Sequence, residues 1–293
     1  MPKLSPARAR DISYSWSAQS PAGRALIRLM ENSTGRLRLI RRAAGYEDEV
    51  GAGACFFDVM VARYGLTLDV VSGSLDAIPR QGPVIFIANH PYGILDGLML
   101  GHIMSRSRGD FRILANAVFN RAPDLHRHLL PIDFAETREA LALNLATRRS
   151  ALDYLGRGGT IGIFPGGTVS TAARPFSRPL DPGWRGFTAR MIAKSDATVV
   201  PVFFDGQCSR TFQIASHLHS TLRMGLLIKE FRKRLDTPVR VSIGAPLGRE
   251  VLDPLRGDTK AMMDFLRKAT YELSPTPVHV HELGYEFEER HRA

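Results

Sequence analysis

The chain predicts an α/β fold: a mostly parallel central sheet flanked by helices, with a basic helical extension at its N-terminus. Three observations lead there. Short apolar runs of strand type, such as Val84–Ala88, Thr160–Phe164 and Thr198–Phe204, alternate with longer segments of helical periodicity. Such alternation marks parallel strands joined by crossover helices. The runs are apolar throughout rather than alternating, as strands covered on both faces must be. Finally, 293 residues with 44% hydrophobic and 23% charged side chains suffice for a full α/β core and exclude a disordered chain.

The elements follow in order. Residues 1–20 are rich in Pro, Ser and Arg and read as irregular. Residues 21–45 carry two helical stripes (Leu26, Leu29 and Met30, then Leu37, Ile40 and Ala44), broken at Ser33-Thr34-Gly35. Ala52–Tyr64 reads as a more buried helix, closing a basic helical N-terminal region over residues 1–64. Leu66–Val71 is the first strand expected, then Val84–Ala88, a helix over Gly97–Met104, and a strand at Phe111–Ala115. A long helix spans Glu136–Tyr154, a strand Thr160–Phe164, a helix Trp184–Ala193 and a strand Thr198–Phe204. Phe212–Leu235 reads as one helix, Val239–Ile243 as a strand and Thr259–Leu273 as a closing helix. No repeat or linker divides residues 65–293.

Charge narrows the partners. Thirty-nine Lys and Arg face 29 Asp and Glu, a net charge of +10. An anionic partner is expected: a membrane surface, an acidic carrier or a nucleic acid. Nine basic against two acidic side chains through residue 45 give +7, so most of the excess lies in the first sixth of the chain. A basic amphipathic helix suits an anionic membrane interface, and equally a solvated face packed on the domain. Thr221–Leu235 mixes Arg223, Lys229 and Arg232 with leucines and offers the same choice, with an acidic acyl carrier as a further partner. The two cysteines, Cys55 and Cys208, make neither a disulfide framework nor a zinc spacing, and point to a reducing cytoplasm. No secretion signal is expected, nor a run long enough to span a bilayer, so any membrane contact is peripheral, on the inner face.

Two stretches carry chemistry. Val84–Ala88 breaks at Asn89-His90-Pro91, and Asp96 opens the helix that follows. A His and an Asp thus sit at the carboxyl end of a strand, where α/β sheets build their sites. A carboxylate that orients an imidazole makes it a general base. The same pair also reads as a capping Asp beside a His that bonds its own loop. Phe164-Pro165-Gly166-Gly167-Thr168-Val169-Ser170-Thr171 follows another strand. Its glycines let backbone approach a ligand, and its N–H groups can hold an anion or oxyanion. It lacks the Gly-Lys-Ser/Thr of a phosphate-binding loop, and no Gly-x-Ser-x-Gly elbow occurs. Paired histidines such as His126 and His128 lack carboxylate or Cys partners, so no metal site is expected.

Together these stretches resemble the lysophosphatidic acid acyltransferase family of glycerolipid acyltransferases. That family carries Asn-His-x-x-x-x-Asp after a strand, Phe-Pro-Glu-Gly-Thr-Arg-Ser after a later one, and a Val-Pro-Val strand beyond. Here Asn89, His90 and Asp96, then Phe164–Ser170, then Val200-Pro201-Val202 correspond, and Trp184-Arg185-Gly186 stands at the family's Phe-Lys-x-Gly step. Asp181–Arg185 and Asp205–Gln213 look more like the bacterial hemolysin-like subgroup, related to lyso-aminolipid O-acyltransferases. The resemblance implies that 65–293 is an acyltransferase domain, with His90 and Asp96 catalytic and Asn89, Gly166, Gly167, Thr168 and Arg185 binding substrate. It implies an acyl-ACP or acyl-CoA thioester as co-substrate, no cofactor, no metal and no nucleic acid.

The departures shape the acceptor. Five residues, not four, separate His90 from Asp96, and Gly93 is expected to absorb the extra one. Gly166 replaces the family's Glu and Val169 its Arg, and Leu130–Asp133 lacks the Arg of the family's second motif. Phosphate monoesters favour arginine forks. A lyso-aminolipid therefore fits better than lysophosphatidic acid, with 1-acylglycerol-3-phosphate acylation as the alternative and Arg138, Arg174 or Arg185 available to compensate. A hydrolase built on the same pair and a basic nucleic-acid-binding protein are the readings from other classes.

Overall fold

The computed structural model describes residues 12–18, 20–117, 123–133, 135, 137–174 and 176–287. Lys3, Arg8 and Arg10 of the basic N-terminus, and the expected helix start at Glu136, lie outside them.

Helices α1 (Pro21–Thr34) and α2 (Arg36–Ala43) break at Gly35, as the sequence predicts. Ser20 caps α1 by accepting from the Gly23 N–H. The expected Ala52–Tyr64 helix is shorter, α4 (Phe56–Arg63), and a separate acidic turn, α3 (Tyr46–Gly51), precedes it. Then come β1 (Thr67–Ser72), β2 (Val84–Ala88), α5 (Ile94–Arg108) and β3 (Arg112–Asn116). β4 (Leu129–Ile132) is a strand the sequence reading missed, because Pro131 in so short a run argues against one. As an edge strand it tolerates the proline. α6 (Arg138–Gly156) and β5 (Thr160–Ile163) follow, then the two-stranded hairpin β6 (Thr171–Ala172) and β7 (Pro179–Leu180). The chain closes with α7 (Gly186–Ile192), β8 (Thr198–Phe204), α8 (Arg210–Leu218), α9 (Ser220–Arg232), β9 (Pro238–Ile243), α10 (Arg249–Leu252) and α11 (Thr259–Tyr271).

The main sheet runs β1-β9-β8-β2-β5-β3-β4. Its neighbours are parallel except β8 and β9, which are antiparallel. The mostly parallel α/β architecture is thus the one observed. β2 and β5 are buried at every position, which explains their unbroken apolar sequence. One apolar cluster, with Phe86, Leu100, Phe204 and Phe231, fills one side of the sheet. A second, with Ile85, Ile161, Leu155 and Leu266, fills the other.

Two differences bear on the site. Phe212–Leu235 is not one helix. His219 adopts extended backbone between α8 and α9, and its ring accepts the Thr221 N–H. Nor is α9 a surface helix: Arg223, Leu226, Leu227, Ile228, Glu230 and Phe231 are buried. It packs between α8 and the N-terminal α1. Residues 12–18, expected to be irregular, form an ordered strap with a 3-10 turn at Ser15–Ser17. Glu31, wholly buried on α1, holds the strap by accepting from the Ser13 hydroxyl and the Tyr14 N–H.

Candidate active site

β2 and β5 are parallel neighbours, so the loops leaving their carboxyl ends emerge side by side. A backbone bond from the Ser170 N–H to the His90 carbonyl, 2.8 Å, ties them together. Topology alone therefore brings the two stretches singled out in the sequence into one site.

His90 Nδ1 lies 3.1 Å from Asp96 Oδ2. The approach is close but poorly aligned for a hydrogen bond, an arrangement that tightens readily once a substrate fixes the ring. The imidazole stacks on Phe164, ring centroids 4.2 Å apart, which limits its rotation. With Nδ1 turned to the carboxylate, Nε2 is the nitrogen left for a substrate proton. Asp96 is wholly buried in the first turn of α5. Its Oδ2 also accepts from the Tyr92 and Gly93 N–H groups, at 2.7 and 3.0 Å. Burial raises its pKa; contact with His90 and the two N–H groups oppose that rise. Gly93 absorbs the extra residue of the loop. Its φ of 81° and ψ of −122° suit only glycine. A Cβ there would also crowd Val169 and the Tyr14 hydroxyl.

A cavity of about 790 Å³ opens beside the pair. His90, Gly167, Thr168 and Arg185 line it. Its remaining wall is largely apolar, with Phe57, Met60, Leu98, Leu227 and Phe231 among the lining residues, as a lipid-sized ligand requires. Tyr14 and Trp16 of the N-terminal strap complete it. Burial pushes the Tyr14 phenol up, keeping it a neutral wall group.

Asn89 and Gly166 are not among the lining residues. Asn89, expected at the substrate, donates to the Phe204 carbonyl and accepts from the Phe204 N–H, at 2.9 and 2.7 Å. Both ends of its amide are thereby spent, and it pins the end of β2 to the end of β8. Gly166 abuts Asp181, whose Cβ and Cγ would lie 3.2 and 3.3 Å from an added Cβ. A side chain at position 166 would need Asp181 to give by a few tenths of an ångström. The carboxylate beside Gly166 is that of Asp181. It is wholly buried; Oδ1 accepts from the His90 N–H and the Ser170 hydroxyl, and Oδ2 from Trp184 Nε1 at 3.0 Å.

Gly167 N–H turns back to Phe164 O. Among the described residues no acceptor takes the N–H of Thr168 or Val169, two residues that line the cavity together with His90. The sequence did not single out Asp181, Arg223 or Glu31 as site residues, naming the first two only within the Asp181–Arg185 and Thr221–Leu235 segments. Each also depends on a distant partner, His90 for Asp181, Thr168 for Arg223 and Ser13 for Glu31.

The structure is thus an α/β protein with a His–carboxylate contact at the wall of a large apolar cavity. The chain belongs to the acyltransferase family, whose profile matches residues 51–276. A curated relative, the lyso-glycine lipid O-acyltransferase of Phocaeicola vulgatus, is 24% identical over 206 residues. The match covers 68% of this chain and 71% of the relative. Among solved structures, 1-acyl-sn-glycerophosphate (LPA) acyltransferase, PlsC, from Thermotoga maritima aligns with a TM-score of 0.47 at 18% identity, covering 87% of this chain and 97% of that one.

Proposed function

We propose that this acyltransferase moves a fatty acyl group from an acyl thioester, of coenzyme A or acyl carrier protein, to the hydroxyl of a membrane lysolipid. The observation that carries the reading is the contact of His90 with buried Asp96 at the wall of a large apolar cavity. The family supports acyl transfer, and the curated relative supports a lyso-aminolipid acceptor. The loss of charge at Gly166 and Val169 points the same way.

His90 Nε2 takes the proton of the acceptor hydroxyl while Asp96 holds the ring and stabilises the imidazolium. The hydroxyl oxygen attacks the thioester carbonyl. The Thr168 and Val169 N–H groups receive the oxyanion that forms. The intermediate collapses, the C–S bond breaks, and the leaving sulfur takes the proton from His90. The products are an ester and a free thiol. The step uses no covalent enzyme intermediate.

The test supplies purified enzyme with one acyl thioester and a panel of lysolipids, with products identified by mass spectrometry. Ester formation on an amino-acid lysolipid, lost in His90→Ala, is the expected result. Release of free fatty acid without any acceptor product would make the protein a thioesterase. A catalytic efficiency on lysophosphatidic acid well above every amino-acid lysolipid would replace the aminolipid reading with 1-acylglycerol-3-phosphate acylation.

A further inference from the structure

Among the described residues, Arg223 is a cation buried without an anion. It lies on α9, is 5% exposed, and lines the cavity. Its Nη1 donates to Thr171 Oγ1 at 2.6 Å and Ser216 Oγ at 3.0 Å. Its Nη2 donates to Thr168 Oγ1 at 3.0 Å and the Val169 carbonyl at 2.7 Å. Every acceptor is neutral. Phe212 and Phe287 lie against the guanidinium, 5.0 and 4.3 Å from their ring centres. Among the described residues no carboxylate comes within ion-pair distance. Burial pulls its pKa down to about 10, so it stays charged at neutral pH. Arg267 is also buried, but it lies off the cavity and bridges the Asp181, Val280 and Glu282 carbonyls of two chain segments.

A buried charge facing only neutral groups leaves its field uncompensated. That field has a direction here. A hydroxyl that accepts from a guanidinium turns its own proton elsewhere. Thr168 lines the cavity, and no acceptor among the described residues takes that proton. Thr171, by contrast, spends its proton on the Val169 carbonyl. Thr168 is thus the hydroxyl through which the Arg223 charge is presented to a ligand, in walls that screen it little.

We propose that Arg223, acting through the Thr168 hydroxyl, forms the subsite for the anionic head group of the acceptor lipid, a carboxylate or a phosphate. The inference rests on the lysolipid acyltransferase reading and adds the residue that selects the acceptor. It also gives position 169 a physical sense. The carbonyl of Val169 accepts a guanidinium delivered from α9 rather than carrying one on its own side chain.

The test offers one acyl thioester and three acceptors to the intact enzyme: an N-(3-hydroxyacyl)glycine, its methyl ester, and lysophosphatidic acid. The second replaces the carboxylate of the first by a neutral ester one methyl larger. Wild-type kcat/KM on the free acid should exceed that on the ester by about 100-fold, the scale of a buried charge contact. In Arg223→Gln the ratio should collapse toward one, chiefly through KM on the acid. Arg223→Lys, which keeps the charge, should restore part of it. Whichever anion the wild type prefers identifies the head group, provided that the preference vanishes in Arg223→Gln. Equal use of acid and ester by the wild type would overturn the proposal. So would an equal loss of kcat on both in Arg223→Gln, which would assign the charge to the oxyanion. If Arg223→Gln does not fold, the wild-type ratio and Arg223→Lys decide. Transfer to none of the acceptors would instead defeat the underlying functional reading.

Discussion

Asp96 serves three partners with one oxygen: His90 and the N–H groups of Tyr92 and Gly93. The carboxylate therefore shapes the loop as well as the imidazole. His90→Ala should lower turnover by about 10²–10⁴-fold, the usual worth of a general base, with little change in the unfolding midpoint because the ring lies on the loop after β2 and lines the cavity rather than the packed core. Near-normal turnover by a folded variant would remove His90 from the chemistry. The pair was legible in the sequence because only a short loop separates its members, and a strand-to-helix break marks that loop. Asp181 was not legible, since its partners His90 and Ser170 lie 91 and 11 residues away and their meeting depends on the β2–β5 pairing. Asp181→Asn tests it. The new amide N–H would oppose the Trp184 indole N–H, which now donates to Oδ2. Leaving such a buried donor unmade costs about 1–3 kcal/mol, readable as a lower denaturation midpoint, and turnover should fall as the His90 loop shifts.

The elements misjudged from sequence share one cause. α9 carries enough Arg and Lys to look solvated, yet the fold turns Arg223 inward and stacks Leu227 and Phe231 on the cavity. The strap at 12–18 reads as irregular because its order comes from Glu31 on α1, not from its own periodicity. Burial raises the Glu31 pKa; the Ser13 hydroxyl, the Tyr14 N–H, Arg28 and Arg36 oppose the rise. A carboxyl with a raised folded pKa holds its proton more tightly folded than unfolded. Its contribution to stability is full below the ordinary glutamate pKa, about 4.3, and declines as pH rises through the folded value. Glu31→Gln removes that titration. The stability of the wild type relative to Glu31→Gln, from urea denaturation, should therefore fall as pH rises above the ordinary glutamate range. A difference that stays flat over that rise would show that Glu31 does not titrate with folding.

At the scale of the whole molecule, the N-terminal layer has two faces with different work. Its inner face buries Ile27 and Leu39, and the adjoining strap gives Tyr14 and Trp16 to the cavity. Its outer face exposes Leu26, Leu29 and Leu37 beside exposed Arg24, Arg38 and Arg41. Not all of the basic excess faces outward: Arg36 is buried against Glu31 and the Ile12 carbonyl. Among the described residues no helix is long and apolar enough to cross a membrane. A surface of leucine and arginine, backed by the wall of a lipid-sized cavity, suits contact with an anionic bilayer. Deleting residues 1–45 would strip that wall and expose the core, so substitution is the cleaner test. Each Lys or Arg near such a surface is worth about 1 kcal/mol. Arg38→Gln with Arg41→Gln should therefore weaken sedimentation with anionic vesicles by about 30-fold, and raised salt should weaken the wild type likewise. Turnover on a short-chain, monomeric acceptor should be unchanged, since neither arginine lines the cavity. If the doubly substituted protein sediments as well as the wild type, this face is not the docking surface. The exposed Phe176, Ile214 and Leu218, on the β6–β7 hairpin and α8, would then be the apolar residues to mutate next.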